Sequence, residues 1–288
     1  MENNALTGKT CLITGSSQGI GYETAAGLAR LGAHVILVSH NQANIQSAQE
    51  KIASESGQGN VHYYVADLSI QDEVKNLAAR IQKDYEVLDV LINNVGGFYP
   101  KFQLTADGIE KTFALNHLSY FLFSGTLLPL LQKSAAGRIV NVSSDAHFQA
   151  KGIQFDDIQF KDRYHAFAAY AHSKLANVLF TYELARRIST TAVTVNALHP
   201  GFVQSELYRH FGIMTPLVKF FAGLVGKSAP EGAETPIYLA SSPEVGEITG
   251  QYFSNCKPKE SSPVTYAEKQ AERLWSLSES MTGFTYHL

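Results

Sequence analysis

Short apolar runs alternate with longer stretches of helical periodicity from residue 9 to residue 198, and this alternation constrains the fold more than any other feature. The apolar runs lack polar alternation, which predicts strands that are covered on both faces. Strands that alternate with helices predict an α/β fold, a doubly wound parallel sheet with helices on both faces. The predicted strands cover residues 9–14, 35–38, 61–65, 88–92, 138–142 and 193–198, and the predicted helices cover residues 19–31, 43–55, 74–84, 105–132 and 166–188.

Composition excludes several classes of protein. The 288 residues are 45% hydrophobic and carry a net charge of −3, whereas a disordered chain combines low hydrophobicity with high net charge. No Lys/Arg cluster stands out, so we do not expect nucleic acid as a partner. We find no internal repeat or Pro/Ser-rich linker, which predicts a single domain over residues 1–288, less regular after Ser205.

Neither a metal nor a membrane is expected. The two cysteines, Cys11 and Cys256, form no CxxC motif, and the 10 histidines have no metal-ligand spacing. The N-terminal residues show no basic stretch followed by an apolar one, so we expect neither a signal peptide nor an N-terminal membrane anchor. No apolar run approaches the roughly 18 residues of a membrane span. These features predict a cytoplasmic protein without a membrane-spanning helix.

A glycine-rich turn, TGSSQGIG at residues 14–21, lies between the first predicted strand and the first helix. Glycines permit a tight turn and close backbone approach, and a helix N-terminus attracts a pyrophosphate. The alternative is a turn that needs only small residues, but the strand–helix context favours a nucleotide site. The predicted cofactor-binding residues of this turn are Gly15, Ser17, Gln18, Gly19, Ile20 and Gly21.

Residues at the ends of the second and third predicted strands are expected to lie next to the adenosine part of a bound dinucleotide. Ser39, His40 and Asn41 include no Asp or Glu, the residue that hydrogen-bonds the ribose 2′-hydroxyl of NAD. A carboxylate would repel a 2′-phosphate, so its absence favours NADP(H) over NAD(H); His40 either donates to that phosphate or is a solvated loop residue. Asp67, followed by Leu68, either accepts a hydrogen bond from the adenine amine or caps the next helix.

Tyr170 and Lys174 lie four residues apart in a predicted helix, so their side chains share one face. A phenol with a pKa of about 10 is a poor acid or base at neutral pH. A nearby cation favours the phenolate and lowers that pKa. The pair suits proton transfer to or from an alcohol or carbonyl oxygen, although such spacings also occur by chance.

Other polar residues are predicted at the same edge of the sheet. The carboxyl ends of parallel strands are where folds of this kind bind ligands. Structural needs alone explain such a cluster poorly. Its members are Asn94, Val95 and Gly96 after the fourth strand, Asn116 in the helix that follows, Ser143 and Ser144 after the fifth strand, and Pro200 and Gly201 after the sixth.

Together these motifs resemble the short-chain dehydrogenase/reductase family, in its order and spacing, over essentially the whole chain. The resembling motifs are TGSSQGIG at 14–21, NNVG at 93–96, Asn116, Ser144, YAHSK at 170–174 and HPG at 199–201. Finer features resemble the retinol dehydrogenase-like subgroup: NHLSYF at 116–121, FDDI at 155–158 and HSKLANVLF at 172–180. The resemblance implies a Rossmann-type fold with a cofactor-binding core at 5–200, a substrate lid and C-terminal strand at 201–260, and a tail at 261–288.

The resemblance also implies four catalytic roles. Tyr170 would be the general acid/base, and Lys174 would lower its pKa and hold the nicotinamide ribose. Ser144 would hydrogen-bond the substrate oxygen; it is preferred to Ser143 because the family's serine is second in this pair. Asn116 would hold a water that relays protons from Lys174.

Further positions agree with the family or depart from it. The segment after Pro200 and Gly201, including Val203 and Ser205, would contact the nicotinamide carboxamide. Val95 replaces the family's usual alanine, which adds volume without changing the backbone. Subgroup members often carry Arg where this chain has His40.

The resemblance predicts an NADP(H)-preferring oxidoreductase that interconverts a hydrophobic alcohol and its aldehyde or ketone. The apolar segment 206–226 would be a lid over an apolar substrate, or else an amphipathic helix that packs on the protein or on a partner subunit. Residues that could line the same pocket are Phe98, Tyr99, Phe102, His147 and Phe148.

The sequence leaves two alternative functions and one expectation about oligomeric state. A non-catalytic dinucleotide-binding redox sensor is the alternative function, and the intact tyrosine–lysine pair argues against it. A sugar-nucleotide epimerase of the family's extended branch is disfavoured by the glycine spacing. The family commonly forms a homodimer or homotetramer through the long helices predicted here at 105–132 and 166–188.

Overall fold

The computed structural model describes residues 5–57, 60–201 and 227–288. These residues form an eight-stranded sheet in the order β3-β2-β1-β4-β5-β6-β7-β8, in which β8 alone runs antiparallel to its neighbour. The predicted Rossmann-type α/β sheet is confirmed. The strands are β1 (Thr10–Thr14), β2 (His34–Ser39), β3 (Val61–Val65), β4 (Val90–Asn93), β5 (Arg138–Val142), β6 (Thr194–His199), β7 (Tyr252–Ser254) and β8 (Lys257–Pro258).

Helices connect the parallel strands, and short 3₁₀ turns at Asp145–Gln149, Phe155–Asp157, Pro243–Val245 and Pro263–Tyr266 lie between them. The helices of the described residues are α1 (Gly19–Arg30), α2 (Gln42–Ser56), α3 (Gln71–Asp84), α4 (Lys111–Leu131), α5 (Ala166–Arg187), α6 (Ala229–Ser241) and α7 (Glu268–Thr282).

The hydrophobic core has two halves because the strands are apolar on both faces. In β1, Cys11 and Ile13 pack on one side of the sheet and Leu12 packs on the other. Side chains of α1, α2 and α6 cover the Cys11 side, whereas α3, α4 and α5 cover the Leu12 side. Helix α7 adds an outer layer, since Trp275 packs against Phe121 of α4.

The long helix predicted from residue 105 begins only at Lys111. A turn precedes it, in which Leu104 and Glu110 form an isolated β-bridge and Gly108 has a φ of 72°. The Glu110 carboxylate then accepts hydrogen bonds from the Thr112 and Phe113 backbone amides, so it caps α4. The predicted helix begins too early because it includes Gly108, whose positive φ places this residue in a turn.

From residue 227 onward the chain is more regular than predicted, because it contains α6 and α7. Pro230 lies in the first turn of α6, where its missing N–H costs nothing. Ser228 at the N-cap and Glu231 in the first turn form a capping box. Helix α6 packs on α1 so closely that a Cβ at Gly27 would lie 2.4 Å from Ile237 Cδ1. Helix α6 thus lies within the segment 201–260 that was predicted to hold a lid and a C-terminal strand, while residues 202–226, which include the predicted lid 206–226, lie outside the described residues.

Helix α4 is long and apolar enough by composition to cross a membrane. However, 89% of its most apolar window is buried inside the fold. Between Lys111 and Leu131 only Lys111, Thr126 and Pro129 are not buried. Its apolar composition is accounted for by burial on all sides in the core.

Candidate active site

The carboxyl ends of β1, β4, β5 and β6 open onto a cleft of about 650 Å³. Between β1 and β4 the direction of strand succession reverses, and such a switch point is where doubly wound sheets bind ligands. The predicted residues that line this cleft are Gly15, Ser17, Gln18, Gly19, Ile20, Gly21, Ser39, His40, Asp67, Leu68, Asn94, Val95, Gly96, Ser144, Tyr170, Lys174, Pro200 and Gly201.

The glycine-rich turn fits a dinucleotide pyrophosphate. A Cβ at Gly21 would lie 2.3 Å from the Gly15 carbonyl oxygen, and Gly19 has a φ of 59°. Helix α1 begins after Gln18 with neither a side-chain cap nor an acidic residue in its first turn. Its first N–H groups and its positive dipole end are therefore available to a phosphate.

At the adenosine end of the cleft, two hydroxyls and an imidazole take the place that an NAD-binding acid would occupy. The Ser17 and Ser39 hydroxyl oxygens are 3.0 Å apart, and exposed His40 lines the cleft beside them. Asn41 does not line the cleft, because the chain has turned there and its side chain caps α2 by accepting a hydrogen bond from Asn44 N.

Asp67 lines the cleft and does not cap the next helix. Its Oδ1 accepts hydrogen bonds from Ser69 N at 2.9 Å and from Ser69 Oγ at 2.7 Å. The N-cap position of α3 is instead Ile70, and Gln71 N donates to Asp107. The helix-cap alternative for Asp67 is therefore wrong, and the carboxylate is held in place by a local turn.

The loop after β4 lies between the glycine-rich turn and Lys174 and is hydrogen-bonded to the turn. Asn94 Nδ2 donates to Thr14 O at 2.8 Å, and Val95 N donates to Thr14 Oγ1 at 3.0 Å. A Cβ at Gly96 would lie 3.5 Å from Lys174 Nζ. The larger Val95 side chain is accommodated by packing against the core.

Tyr170 and Lys174 of α5 face the cleft together. Lys174 Nζ lies 5.7 Å from the centre of the Tyr170 ring and donates a hydrogen bond to Val142 O at 3.0 Å. Burial lowers the pKa of Lys174 to about 7. Phe98 packs edge-on against Tyr170, with ring centroids 6.0 Å apart.

The two serines after β5 make different hydrogen bonds. Ser143 Oγ is buried and donates to Lys174 O at 2.8 Å, so its proton is committed. Ser144 Oγ accepts from Ala146 N at 3.2 Å and retains its own proton. Both residues line the cleft, but Ser144 is the one whose hydroxyl can donate to a ligand.

Asn116 lies behind the cleft lining, in a π-helical turn of α4 at Ala114–Leu118. Its Oδ1 accepts from Gly97 N at 2.7 Å, and its Nδ2 donates to Gly97 O and to Ser173 Oγ, both at 3.0 Å. Both amide protons are thus used within the protein. Asn116 joins the loop after β4 to α4 and α5. Because neither of its side-chain amide protons is available, a water held by Asn116 would have to donate a hydrogen bond to one of its oxygen atoms.

Several cleft residues were not identified as cofactor-binding from the sequence. Strand-end positions such as Val142 follow from topology once strand ends are known, and His199 begins the HPG motif without having been assigned to the cofactor, but Lys111 belongs to no motif. Tyr99, expected only as a possible pocket residue, does line the cleft. The additional lining residues are Val38, Ala66, Tyr99, Lys111, Leu115, Val142, Ser143 and His199.

Some sequence predictions fall on residues 202–226, which lie outside the described residues. They concern Val203 and Ser205 as cofactor contacts and the apolar segment 206–226 as a lid. Across 5–57, 60–201 and 227–288, no group of three or more His, Cys, Asp or Glu side chains could hold a metal ion.

An uncapped glycine-rich turn at the switch point of a doubly wound sheet, facing a tyrosine and a buried lysine across one cleft, defines a dinucleotide-dependent oxidoreductase. The comparisons agree with this class. The family model described as short chain dehydrogenase matches residues 9–212, and the chain belongs to that family.

Relatives of known name share most of the chain. It is 42% identical to human retinol dehydrogenase 14 over 96% of this chain and 87% of that protein. It is 41% identical to human retinol dehydrogenase 12 over 99% of this chain and 89% of that protein. The crystal structure of a protein from Mycobacterium paratuberculosis is similar with a TM-score of 0.81 and 30% identity, covering 100% of this chain and 98% of that one. The chain is therefore a short-chain dehydrogenase/reductase related to retinol dehydrogenases, and this family implies a nicotinamide cofactor.

Proposed function

We propose that this protein interconverts a hydrophobic alcohol and its aldehyde or ketone, with a preference for NADP(H). The observation that carries the proposal is that Ser144, Tyr170 and Lys174 line the same cleft as the glycine-rich turn. A binding protein has no need of a proton donor, a cation and a hydroxyl at one point of its ligand cleft.

The protein's own residues would manage the proton while a bound nicotinamide supplies or takes up the hydride. Ser144 donates a hydrogen bond to the substrate oxygen and polarises it. Tyr170 gives its proton to that oxygen in reduction and takes it back in oxidation. The Lys174 ammonium would stabilise the phenolate and would hold the ribose of a bound nicotinamide cofactor. Asn116 keeps the loop at Gly97 in register with α5.

The preference for NADP(H) is supported by what borders the adenosine end of the cleft. Ser17 and Ser39 offer two hydroxyls, His40 offers a ring N–H, and no carboxylate stands among residues 39–41. A 2′-phosphate would meet donors there rather than a like charge.

The cofactor preference is tested with a matched pair of variants. His40→Asp places a carboxylate in the cleft and should weaken NADPH binding at least about tenfold, because like charges repel, while NADH binding should not weaken, because a carboxylate there can accept a hydrogen bond from the ribose 2′-hydroxyl. Asn41→Asp adds the same charge where it caps α2 outside the cleft, and it should leave both affinities unchanged. Wild-type protein that binds NADH as tightly as NADPH contradicts the preference.

An apolar substrate is supported by two observations. Phe98 is buried against Tyr170, and the relatives are named for retinol, which is an apolar alcohol. The test is NADPH oxidation with aldehydes and ketones of increasing apolar size. We expect kcat/KM to rise with apolar size. Turnover restricted to charged or sugar carbonyls contradicts this substrate class, and tight NADPH binding without turnover of any carbonyl favours a redox sensor.

A further inference from the structure

The C-terminal segment 252–262 lies directly behind the loop that carries Ser144. Asp145, the next residue, receives two hydrogen bonds from this segment. Tyr252 OH donates to Asp145 Oδ1 at 3.0 Å, and Lys259 Nζ donates to Asp145 Oδ2 at 2.8 Å. The carboxylate is charged, because the Lys259 ammonium helps to hold the pKa of Asp145 below its usual range against the effect of burial.

His147 makes a third connection between the same two segments. Its Nε2 accepts a hydrogen bond from Ser262 N at 3.0 Å, so the ring proton lies on Nδ1. Nδ1 is 2.7 Å from Ser144 O and donates to it. The imidazole is fully buried and neutral, since burial lowers its pKa. It therefore connects the backbone of Ser262 to the backbone of Ser144.

The loop is also joined to the cofactor side of the cleft through His199. Asp145 N donates to His199 Nδ1 at 3.3 Å, which leaves the His199 proton on Nε2. His199 lines the cleft and immediately precedes Pro200 and Gly201. Asp145 is thus bound at its backbone to a cofactor-side residue and at its side chain to the C-terminal segment.

We propose that residues 252–262, here called the C-terminal clasp, are a positioning element that holds the Ser144 hydroxyl in register with Tyr170 through Asp145 and His147. The inference rests on the proposed function, because it assigns a role in orienting the substrate oxygen. Asp145, His147, Tyr252 and Lys259 act through Ser144 and do not touch the substrate. A short 3₁₀ turn such as Asp145–Gln149 has little internal rigidity, so its geometry depends on these outside contacts.

Lys259→Met is the first test, because it removes the cation at a partly exposed site and leaves the rest of the clasp in place. The matched control is Lys257→Met, which removes an exposed lysine from the same hairpin. We expect Lys259→Met to lower kcat/KM for the carbonyl substrate about tenfold, as a small misplacement of a positioning group does. The NADPH affinity should stay at the wild-type value, and Lys257→Met should change neither quantity.

A double-mutant cycle separates positioning from a general structural role. If the clasp acts through Ser144, Lys259→Met should cause no further loss of kcat/KM in a protein that already carries Ser144→Ala. An equal fold-loss in both backgrounds would overturn the proposal, and so would wild-type kcat/KM in Lys259→Met. Asp145→Asn, which keeps the acceptor for Tyr252, should behave like Lys259→Met.

Hydrogen exchange supplies a readout that does not need turnover. In Lys259→Met the amides of residues 145–147 should exchange faster than in wild type and in Lys257→Met, because Asp145 N donates to His199 and the Ala146 and His147 amides donate to Ser144 within this loop. Unchanged exchange in Lys259→Met contradicts the clasp. A wild-type protein that turns over no carbonyl contradicts the proposed function alone, because the exchange rates still report whether the clasp holds the loop.

Discussion

At the scale of single residues, the burial of Lys174 links cofactor binding to pH. Burial lowers the pKa of Lys174 to about 7 in the cofactor-free protein. A bound dinucleotide brings phosphate charge and ribose oxygens to the cleft, which favours the ammonium form and raises that pKa. Binding therefore takes up a proton at any pH that lies between the two pKa values.

We expect the Kd for NADH to rise with pH above about 7, by up to about tenfold per pH unit. NADH is the ligand of choice because it lacks a titrating 2′-phosphate. Fluorescence titration across the neutral and mildly alkaline range measures the effect. Lys174→Met should bind NADH with an affinity that does not change with pH, and a wild-type affinity that is equally flat would contradict the role of Lys174.

Of the two serines after β5, substitution of Ser144 should lower activity, whereas substitution of Ser143 should lower stability. Ser144→Ala should lower kcat/KM roughly 10²-fold, the usual loss when one donor to a developing oxyanion is removed, with little change in thermal stability. Ser143→Ala removes a buried hydrogen bond to the Lys174 carbonyl and should destabilise the fold by about 1 kcal/mol. Steady-state kinetics and urea unfolding of both variants test this; equal activity losses would contradict the assignment.

Residues at strand ends could be predicted from the sequence because topology determines where such ends meet. The glycine turn, Asp67, Asn94 and Ser144 all follow from that rule. The prediction that Asn41 lines the cofactor site was wrong. A strand end can be misjudged by one residue, and at Asn41 the chain has already turned to cap α2. Lys111 could not be identified, because its place in the cleft depends on where α4 begins.

At the scale of elements, the start of α4 depends on Glu110. This carboxylate is buried, and burial raises its pKa although it accepts two backbone hydrogen bonds. It also fixes the beginning of the helix whose π-helical turn carries Asn116. A π-helical turn inside an α-helix is often found at a functional site.

Glu110→Ala should destabilise the protein by roughly 1–2 kcal/mol, because Thr112 N and Phe113 N lose their acceptors at a buried helix end. The measurement is the midpoint of urea unfolding. Glu86→Ala removes an exposed acid elsewhere and should be neutral. An unchanged midpoint in Glu110→Ala would show that the cap is dispensable.

The elements after residue 227 were the hardest to predict, for physical reasons. Prolines usually interrupt helices, but Pro230 lies in the first turn of α6, and the helix also accommodates Pro236. Helix α7 packs as an outer layer, so its pattern carries only a narrow apolar stripe around Leu274 and Trp275. The inner elements were predicted well because burial on both faces makes their apolar runs continuous.

At the scale of the whole molecule, two buried histidines and one partly buried histidine couple stability to acid. Burial lowers the pKa of His117 to about 3 and the pKa values of His172 and His199 to about 4. In the unfolded chain each titrates near 6.5. Their contribution is therefore complete above about pH 6.5 and is lost progressively as the pH falls toward 4, because the unfolded state binds more protons.

The melting temperature should accordingly fall between pH 6.5 and pH 5, before most carboxylates titrate. His117→Gln should melt lower at neutral pH, because the imidazole Nε2 contact with Ser278 Oγ is lost. Its melting temperature should also depend less on pH than that of the wild type. The same pH slope in both proteins would contradict this account.

The C-terminal layer also bears on assembly. The family dimer expected through the long helices needs exposed faces on α4 and α5. In this chain Trp275 and Tyr286 pack against Phe121 of α4, and Trp275 also stacks on Phe180 of α5. We expect light scattering to give the mass of one chain, 31.5 kDa. The mass of a dimer or tetramer would contradict this expectation.

The central claim is that Tyr170 transfers the proton in a dinucleotide-dependent reaction, and Tyr170→Phe tests it most directly. The measurement is the single-turnover rate of NADPH oxidation by a saturating apolar aldehyde, with the NADPH affinity of each protein determined in parallel. We predict a loss of at least about 10²-fold in rate with NADPH affinity nearly unchanged, since only the proton donor is removed. A phenylalanine variant that turns over at the wild-type rate would contradict the proposed mechanism.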